Sequence, residues 1–491
     1  MTLTENERSE VRSASGIIPG AQRRGIMKKI MSQDFLKRSA QKIVERIIPE
    51  PTILSWRMGL SAIIIFLILL PLTALATDTL TLTDFPDRKI FQRTIGGATA
   101  NITVTGTFTG SPAGIDARVV QHGTSTEVVP WTIIAINNPT SPFSGTLTVP
   151  QGGWYDVQVR FSASMTPQSN GTHAWGVGIL IGVIGQSNSN FGWLAASYGG
   201  GTDTATANSL VTGTTDGLSW SAPVYNAGVN FANALQTATN LPVGLVMDGV
   251  GGSSLTYACQ FSNYGYWLAQ SGTPAAYKWP TYVNSVTAAG RIVEGSIYLQ
   301  GEAEASLSCD LTGSAYQTHL LSFFSQLRTN TGSATKIIVG SLNGCDAACS
   351  YPTGAVANIR GQQSGACTAD GSAVYVSLSD LSASSQHYSA ADNISVGQRL
   401  GASMAGLIVV NGACGSANGV GTGNVPASNL CNSGTTGAVT LTVITFSWSC
   451  AGTSGGTTAS CSAHELLSTV KLGAGGSTVK TGSGYSTVKI N

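Results

Sequence analysis

The residues able to do chemistry sit in short stretches beside glycine. From Gly178 to Ile184 every position is apolar or glycine, and the run stops at Gly185-Gln186-Ser187-Asn188. Such a run reads as a buried parallel strand. A hydroxyl just past its carboxyl end occupies the edge where open α/β sheets place ligands and chemistry. Ser187 is therefore the candidate nucleophile. Three further stretches follow apolar runs in the same way: Gly249-Val250-Gly251-Gly252-Ser253-Ser254, Gln300-Gly301-Glu302, and Ser384-Ser385-Gln386-His387-Tyr388. Acyl transfer requires an alcohol, a proton acceptor and donors for a tetrahedral oxyanion. The four stretches supply each of these.

The elements that must position them alternate. Helical spacing over Tyr225–Thr239 precedes a strand at Pro242–Met247. A weakly helical segment, Tyr282–Ala289, precedes Ser296–Gln300, and an amphipathic helix at Tyr316–Leu327 precedes Lys336–Gly340. A helix near Val356–Gln363 leads to Ala373–Leu378, and a last helix runs from about Asn393 to Leu407. This alternation predicts a doubly wound α/β domain over residues 173–410, with a parallel sheet covered on both faces as three layers. In such a sheet the strand ends converge on one edge.

These blocks resemble the SGNH hydrolase superfamily, and within it the sialate O-acetylesterase-like carbohydrate esterases. The resemblance rests on Gly185 to Asn188, on Pro242 to Leu245 with Gly251 to Ser253, on Gln300 to Glu302, and on His387 followed by Val396-Gly397-Gln398-Arg399-Leu400. It implies that Ser187 attacks an ester carbonyl and that His387 accepts its proton. It also implies that the Ser187 and Gly252 amides and the Gln300 side chain hold the oxyanion. No metal or cofactor is implied. The family usually places an aspartate three residues before the histidine, where this chain has Ser384. The orienter of His387 is then Ser384, Asp380, Glu302 or a backbone carbonyl. The expected activity is removal of O-acetyl groups from a glycan or polysaccharide through an acetyl-enzyme. The alternative is a catalytically weak glycan-binding or surface-attachment protein on the same scaffold.

Other candidates read as structure. His319 falls within the amphipathic helix. Glu302 and Glu304 are too close on one loop to face each other across a cleft as glycosidase carboxylates do. The Cys/His spacing fits no zinc site. Charged residues make up 10% of the 491 residues and the net charge is +1, which speaks against a nucleic-acid partner.

Outside the α/β region, residues 1–76 read as a basic flank and a signal peptide or membrane anchor. The apolar run 60–76 ends in Ala74-Leu75-Ala76, so any membrane contact falls to 60–76 if it stays uncleaved. The expected location is secreted, periplasmic or at a bacterial cell surface. Residues 77–172 alternate with period two, as in a β-sandwich, and carry Trp131, Trp154 and Tyr155 as sugar platforms or core aromatics. All nine cysteines lie beyond residue 258. An odd number leaves one thiol over, and export favours disulfides. Cys414, Cys431, Cys450 and Cys461 staple a small β module over 411–465. Residues 466–491 form a tail repeating Ser-Thr-Val-Lys.

Overall fold

The computed structural model describes residues 78–466, except 167, 199–200, 262–263, 271–276, 344, 346–348 and 382–385, together with the backbone of 478–481 and 486–489. Strands β1 (Leu80–Thr83), β2 (Lys89–Gln92), β3 (Thr99–Phe108), β4 (Gly114–Gln121), β5 (Glu127–Ile136), β6 (Phe143–Pro150), β7 (Gly152–Phe161) and β8 (Ser169–Asn170) come first. Strand β9 (Trp175–Gly185) and β10 (Val211–Thr214) lead to α1 (Asn226–Thr239), β11 (Val243–Gly249), α2 (Trp279–Ala289) and β12 (Gly295–Leu299). Then follow α3 (Glu302–Leu307), α4 (Ala315–Thr331), β13 (Lys336–Gly340), α5 (Ala355–Asp370), β14 (Ala373–Val376) and α6 (Ala390–Ala405). The fold is mixed α/β, as the alternation requires.

Every residue of β9 is buried. Its opening residues pair with β2, Lys89 opposite Trp175 through Gln92 opposite Gly178, and with β7. Its later residues pair in parallel with β11 and β12, ending with Gly249 and Leu299 both opposite Gly185. One 11-stranded sheet results. Its parallel part runs β10-β11-β9-β12-β13-β14, and its antiparallel arm runs β9-β7-β4-β5. The period of two sends Leu180, Ile184, Val246, Tyr298 and Val339 into one core with α2, α4 and α5. Ile179, Ile181, Val183, Leu245 and Ile338 enter a second core with α1 and α6. Strand β10 escaped the sequence analysis because it is four residues long and interrupted by Gly213. Strand β2 escaped for want of length as well.

The sheet β1-β3-β6 shares a third core with the antiparallel arm, built from Ile102, Val104, Leu147 and Val149 with Ile115, Val119, Val157 and Val159. The candidate sugar platforms of this region are engaged internally. Tyr155 is buried edge-on to Trp175, Trp154 donates Nε1–H to Ser209 O at 3.0 Å, and Trp131 lies under the guanidinium groups of Arg118 and Arg160.

Disulfides join Cys259 to Cys309, Cys345 to Cys349, Cys414 to Cys461 and Cys431 to Cys450, and Cys367 is a buried free thiol. Two Ser-Thr-Val-Lys copies pair as an antiparallel hairpin, Thr478 opposite Lys489. Among the described residues, no helix is long and apolar enough to cross a membrane. The apolar run 60–76 lies outside the described residues.

One buried ion pair ties these parts together. The guanidinium of Arg93, just past β2, meets Glu294 at 2.5 and 3.0 Å, and also donates to Gly97 O, Gln151 Oε1 and Val409 O. Gln151 in turn donates to Ser433 Oγ at 2.8 Å in the C-terminal module. Removing one member strands a buried charge, at a cost of about 3–5 kcal/mol. Arg93→Leu is expected to lower the urea-unfolding free energy by about that amount, and Arg93→Leu with Glu294→Leu to recover most of it. A single variant as stable as wild type would refute this.

Candidate active site

The edge expected to carry chemistry borders a cavity of about 300 Å³. Gln186, Ser187, Gly251, Gly252, Glu302 and His387 all line it, joined by Phe191, Phe261, Tyr264 and Tyr351. Ser187 thus shares a cavity with His387, although 200 residues separate them.

Local geometry explains how each arrives. Strand β9 ends at Gly185 with φ +134°, and a Cβ there would fall 2.1 Å from Leu299 O. Only glycine lets β9 and β12 approach so closely at that turn. Ser187–Ser189 then form one 3-10 turn, fastened by Ser189 Oγ donating to Gln186 O at 2.6 Å. Gly252, with φ +72°, follows β11 and lies against the Tyr264 ring, where a Cβ would approach to 2.7 Å. The N–H groups of Ser187 and Gly252 form no hydrogen bond with the described residues. His387 comes just ahead of α6, whose start is fixed by a capping box between Ser389 and Asp392. That box is why the helix begins before Asn393, where periodicity placed it.

The side chain of Asn188 connects these pieces. Its Nδ2 donates to Gln386 O at 2.9 Å and to Glu302 Oε1 at 2.5 Å, and its Oδ1 accepts from Tyr388 N at 3.3 Å. The backbone on both sides of His387 is therefore held by the residue next to Ser187. The His387 ring also meets Phe191 edge-on, with centroids 4.9 Å apart, and Tyr198 at 4.3 Å. Burial pushes its imidazole down from the usual range to about 4, so the ring is neutral at pH 7.

The remaining expected site residues divide. Gln300 does not line the cavity. Its Nε2 donates to Gln186 Oε1, Ser253 O and Glu304, and its Oε1 accepts from Tyr298 and Tyr316. These bonds tie it to Gln186, and so to the turn that carries Ser187. Asp380 is exposed and held bidentate by Arg399 at 2.5 and 2.7 Å, which pulls its carboxyl down to about 2. It is turned to that guanidinium and not to the cavity. Glu302 reaches the histidine through Asn188 and the backbone. Ser384 lies outside the described residues. His319 pairs with Asp310 at 2.8 Å on α4, away from the cavity. Among the described residues, Cys259, Cys309 and Asp310 are the one cluster with metal-like spacing, and its cysteines are joined as a disulfide.

Glu302 and Glu304 begin the short helix α3 instead of lying on a loop, and they work in different directions. Glu304 accepts from Leu255 N at 2.6 Å and from Gln300, fixing the loop that carries Gly252. Asn188 and Glu304 were not legible in the sequence as positioning residues. A partial signal for the first was present: an amide directly after Ser187, at a strand end where water is excluded, must find polar partners.

Asn188→Ala is expected to lower kcat on an aryl acetate by about 100-fold through misplacement of His387, and a kcat within about twofold of wild type would refute the role. A second expectation concerns pH. Burial raises the Glu302 and Glu304 carboxyls to about 7, against hydrogen bonds that lower them. A carboxyl whose folded pKa lies above its unfolded value of about 4.3 stabilises the fold fully below that value, and loses this contribution as pH rises through 7. Thermal stability should therefore fall from about pH 5 to pH 8, and Glu304→Gln should flatten the slope. An unchanged slope in the variant would refute this.

Residues 212–406 match the family described as carbohydrate esterase, sialic acid-specific acetylesterase. The match begins after the Ser187 turn and includes Gly252, Gln300 and His387. No curated protein sequence matches the chain. Among solved structures, a carbohydrate acetylesterase from Xanthomonas citri is similar, with 18% identity over 68% of this chain and 75% of that one and a TM-score of 0.45. Est24, a carbohydrate acetylesterase from Sinorhizobium meliloti, gives 13% identity, 47% and 99% coverage and a TM-score of 0.32. A family two carbohydrate esterase from Clostridium thermocellum, solved with cellohexaose, gives 14%, 63% and 89%, and 0.30.

Proposed function

We propose, from the premise that residues 212–406 form an ester hydrolase domain of the sialic acid-specific acetylesterase family of carbohydrate esterases, that this chain removes O-acetyl groups from a carbohydrate by a Ser187–His387 mechanism. The observation that carries the reading is the shared cavity, in which Ser187 and His387 meet Gly252 while Asn188 grips both flanks of the histidine.

The steps follow from the groups present. The Ser187 oxygen attacks the acetyl carbonyl carbon as its proton passes to the neutral imidazole of His387. The oxyanion accepts hydrogen bonds from the Ser187 and Gly252 amides, a type of donor whose loss costs about 100- to 1000-fold in rate. Collapse expels the sugar oxygen, which takes the proton back from His387 and leaves an acetyl ester on Ser187. Water, deprotonated by His387, then attacks that ester; the bond from the acyl carbon to the Ser187 oxygen breaks, His387 returns the proton to that oxygen, and acetate leaves.

Around this chemistry we read the α/β part as a three-layer doubly wound domain, supported by the separate cores on the two sides of its sheet. The strands before it are read as a β-sandwich, supported by the core shared between two sheets. Four disulfides favour an oxidising compartment, hence export to the periplasm, the cell surface or the medium. An acetylated glycan is then the partner met there.

Acid quench during turnover should leave one acetyl group on the peptide containing Ser187, and Ser187→Ala should lower kcat by at least about 10⁴-fold. With His387 held near 4 by burial, kcat/KM should stay level down to about pH 5 and fall as pH drops through 4. Acetate release equal in wild type and Ser187→Ala would leave only a glycan-binding protein on an esterase scaffold.

A further inference from the structure

The cavity has one feature that the reaction itself does not use. Phe261 and Tyr264, both in its lining, expose 44% and 51% of their surface, although large aromatic side chains ordinarily sit inside. Their rings are near parallel, 29° apart, with centroids at 6.3 Å. Tyr264 rests on Gly252, so this aromatic surface begins at one of the proposed oxyanion donors. A pyranose presents a face of C–H groups that packs on such rings, while its hydroxyls stay in water.

The charge of the lining is equally specific. No lysine or arginine is among the described residues that line the cavity. Among the described lining residues the one acidic side chain is Glu302, which is buried and whose carboxyl burial raises to about 7. A sugar carboxylate entering here would meet no cation among the described lining residues, and it would lose its hydration in doing so. A neutral sugar carries no charge that must shed its hydration there.

Resting on the esterase reading above, we infer that Phe261 and Tyr264 form the platform for the acetyl-bearing sugar, and that this sugar is an uncharged pyranose and not a sialic acid. The cavity of about 300 Å³ suits a single ring carrying its acetyl group, with neighbouring sugars lying outside over the aromatic lip.

The test compares the full chain with Phe261→Ala, Tyr264→Ala and the platform-preserving Phe261→Tyr. The substrates are an acetylated neutral oligosaccharide, an O-acetylated sialic acid and an aryl acetate. The wild type should favour the neutral sugar over the sialic acid by at least about tenfold in kcat/KM. In each alanine variant the ratio of kcat/KM for the oligosaccharide to that for the aryl acetate should fall by about tenfold, mainly through KM. Phe261→Tyr should keep the ratio. A preference for the acetylated sialic acid, or alanine variants with unchanged ratios, overturns the inference while leaving the esterase intact. A wild type that cleaves none of the three overturns the esterase reading. Calorimetric binding of the oligosaccharide then judges the platform: binding weakened in Phe261→Ala supports it, and equal binding by wild type and variant refutes it.

Discussion

A single amide side chain at the end of β9 sets the terms on which the catalytic edge can form. Asn188 has two N–H donors and one carbonyl acceptor, and all three meet partners that hold other segments: Glu302, Gln386 O and Tyr388 N. Glu302 and Tyr388 are buried, so water cannot replace what the amide supplies to them. The Ser187 turn, the start of α3 and the approach to α6 are thereby fixed to one another over a distance that backbone pairing alone does not span. The histidine is located by its neighbours' backbone, and its side chain lines the cavity.

This arrangement places carboxyls where water is scarce. Glu302 and Glu304 are both buried, and desolvation raises both toward neutrality. Each carboxyl nevertheless accepts hydrogen bonds from the loops that shape the site, which limits the penalty of burial. The fold therefore gives up some stability near neutral pH in exchange for geometry at the edge. Gln300 follows the same logic. Its amide makes the bonds that Gln186, Ser253 and Glu304 would otherwise lack, and so it is tied to the turn that carries Ser187.

Further from the site, β9 accounts for the association of the N-terminal strands with the α/β part. A strand of eleven buried residues is longer than the parallel sheet needs. Its surplus pairs with β2 and β7, and the Arg93–Glu294 pair closes the junction beside it. Three segments of different composition are thus anchored to the strand that ends at Ser187.

The sequence by itself determined the helices and strands of the α/β part, because strong periodicity over whole elements leaves few alternatives. It also located the serine, the glycine-rich turn and the histidine, because glycine and polar residues after an apolar run mark a strand end. Short elements such as β2 and β10 were beyond its reach, since four residues cannot display a period. Their pairing with β9 and β11 comes from neighbours distant in the chain. Tertiary structure alone decided which polar group faces the cavity. Gln300 and Asp380 had the right chemistry for their expected roles, yet one is enclosed by Tyr298, Tyr316 and Glu304 and the other is held by Arg399. A hydrogen-bonding group goes to the partner that burial and distance provide, and neither can be read from a residue's own type.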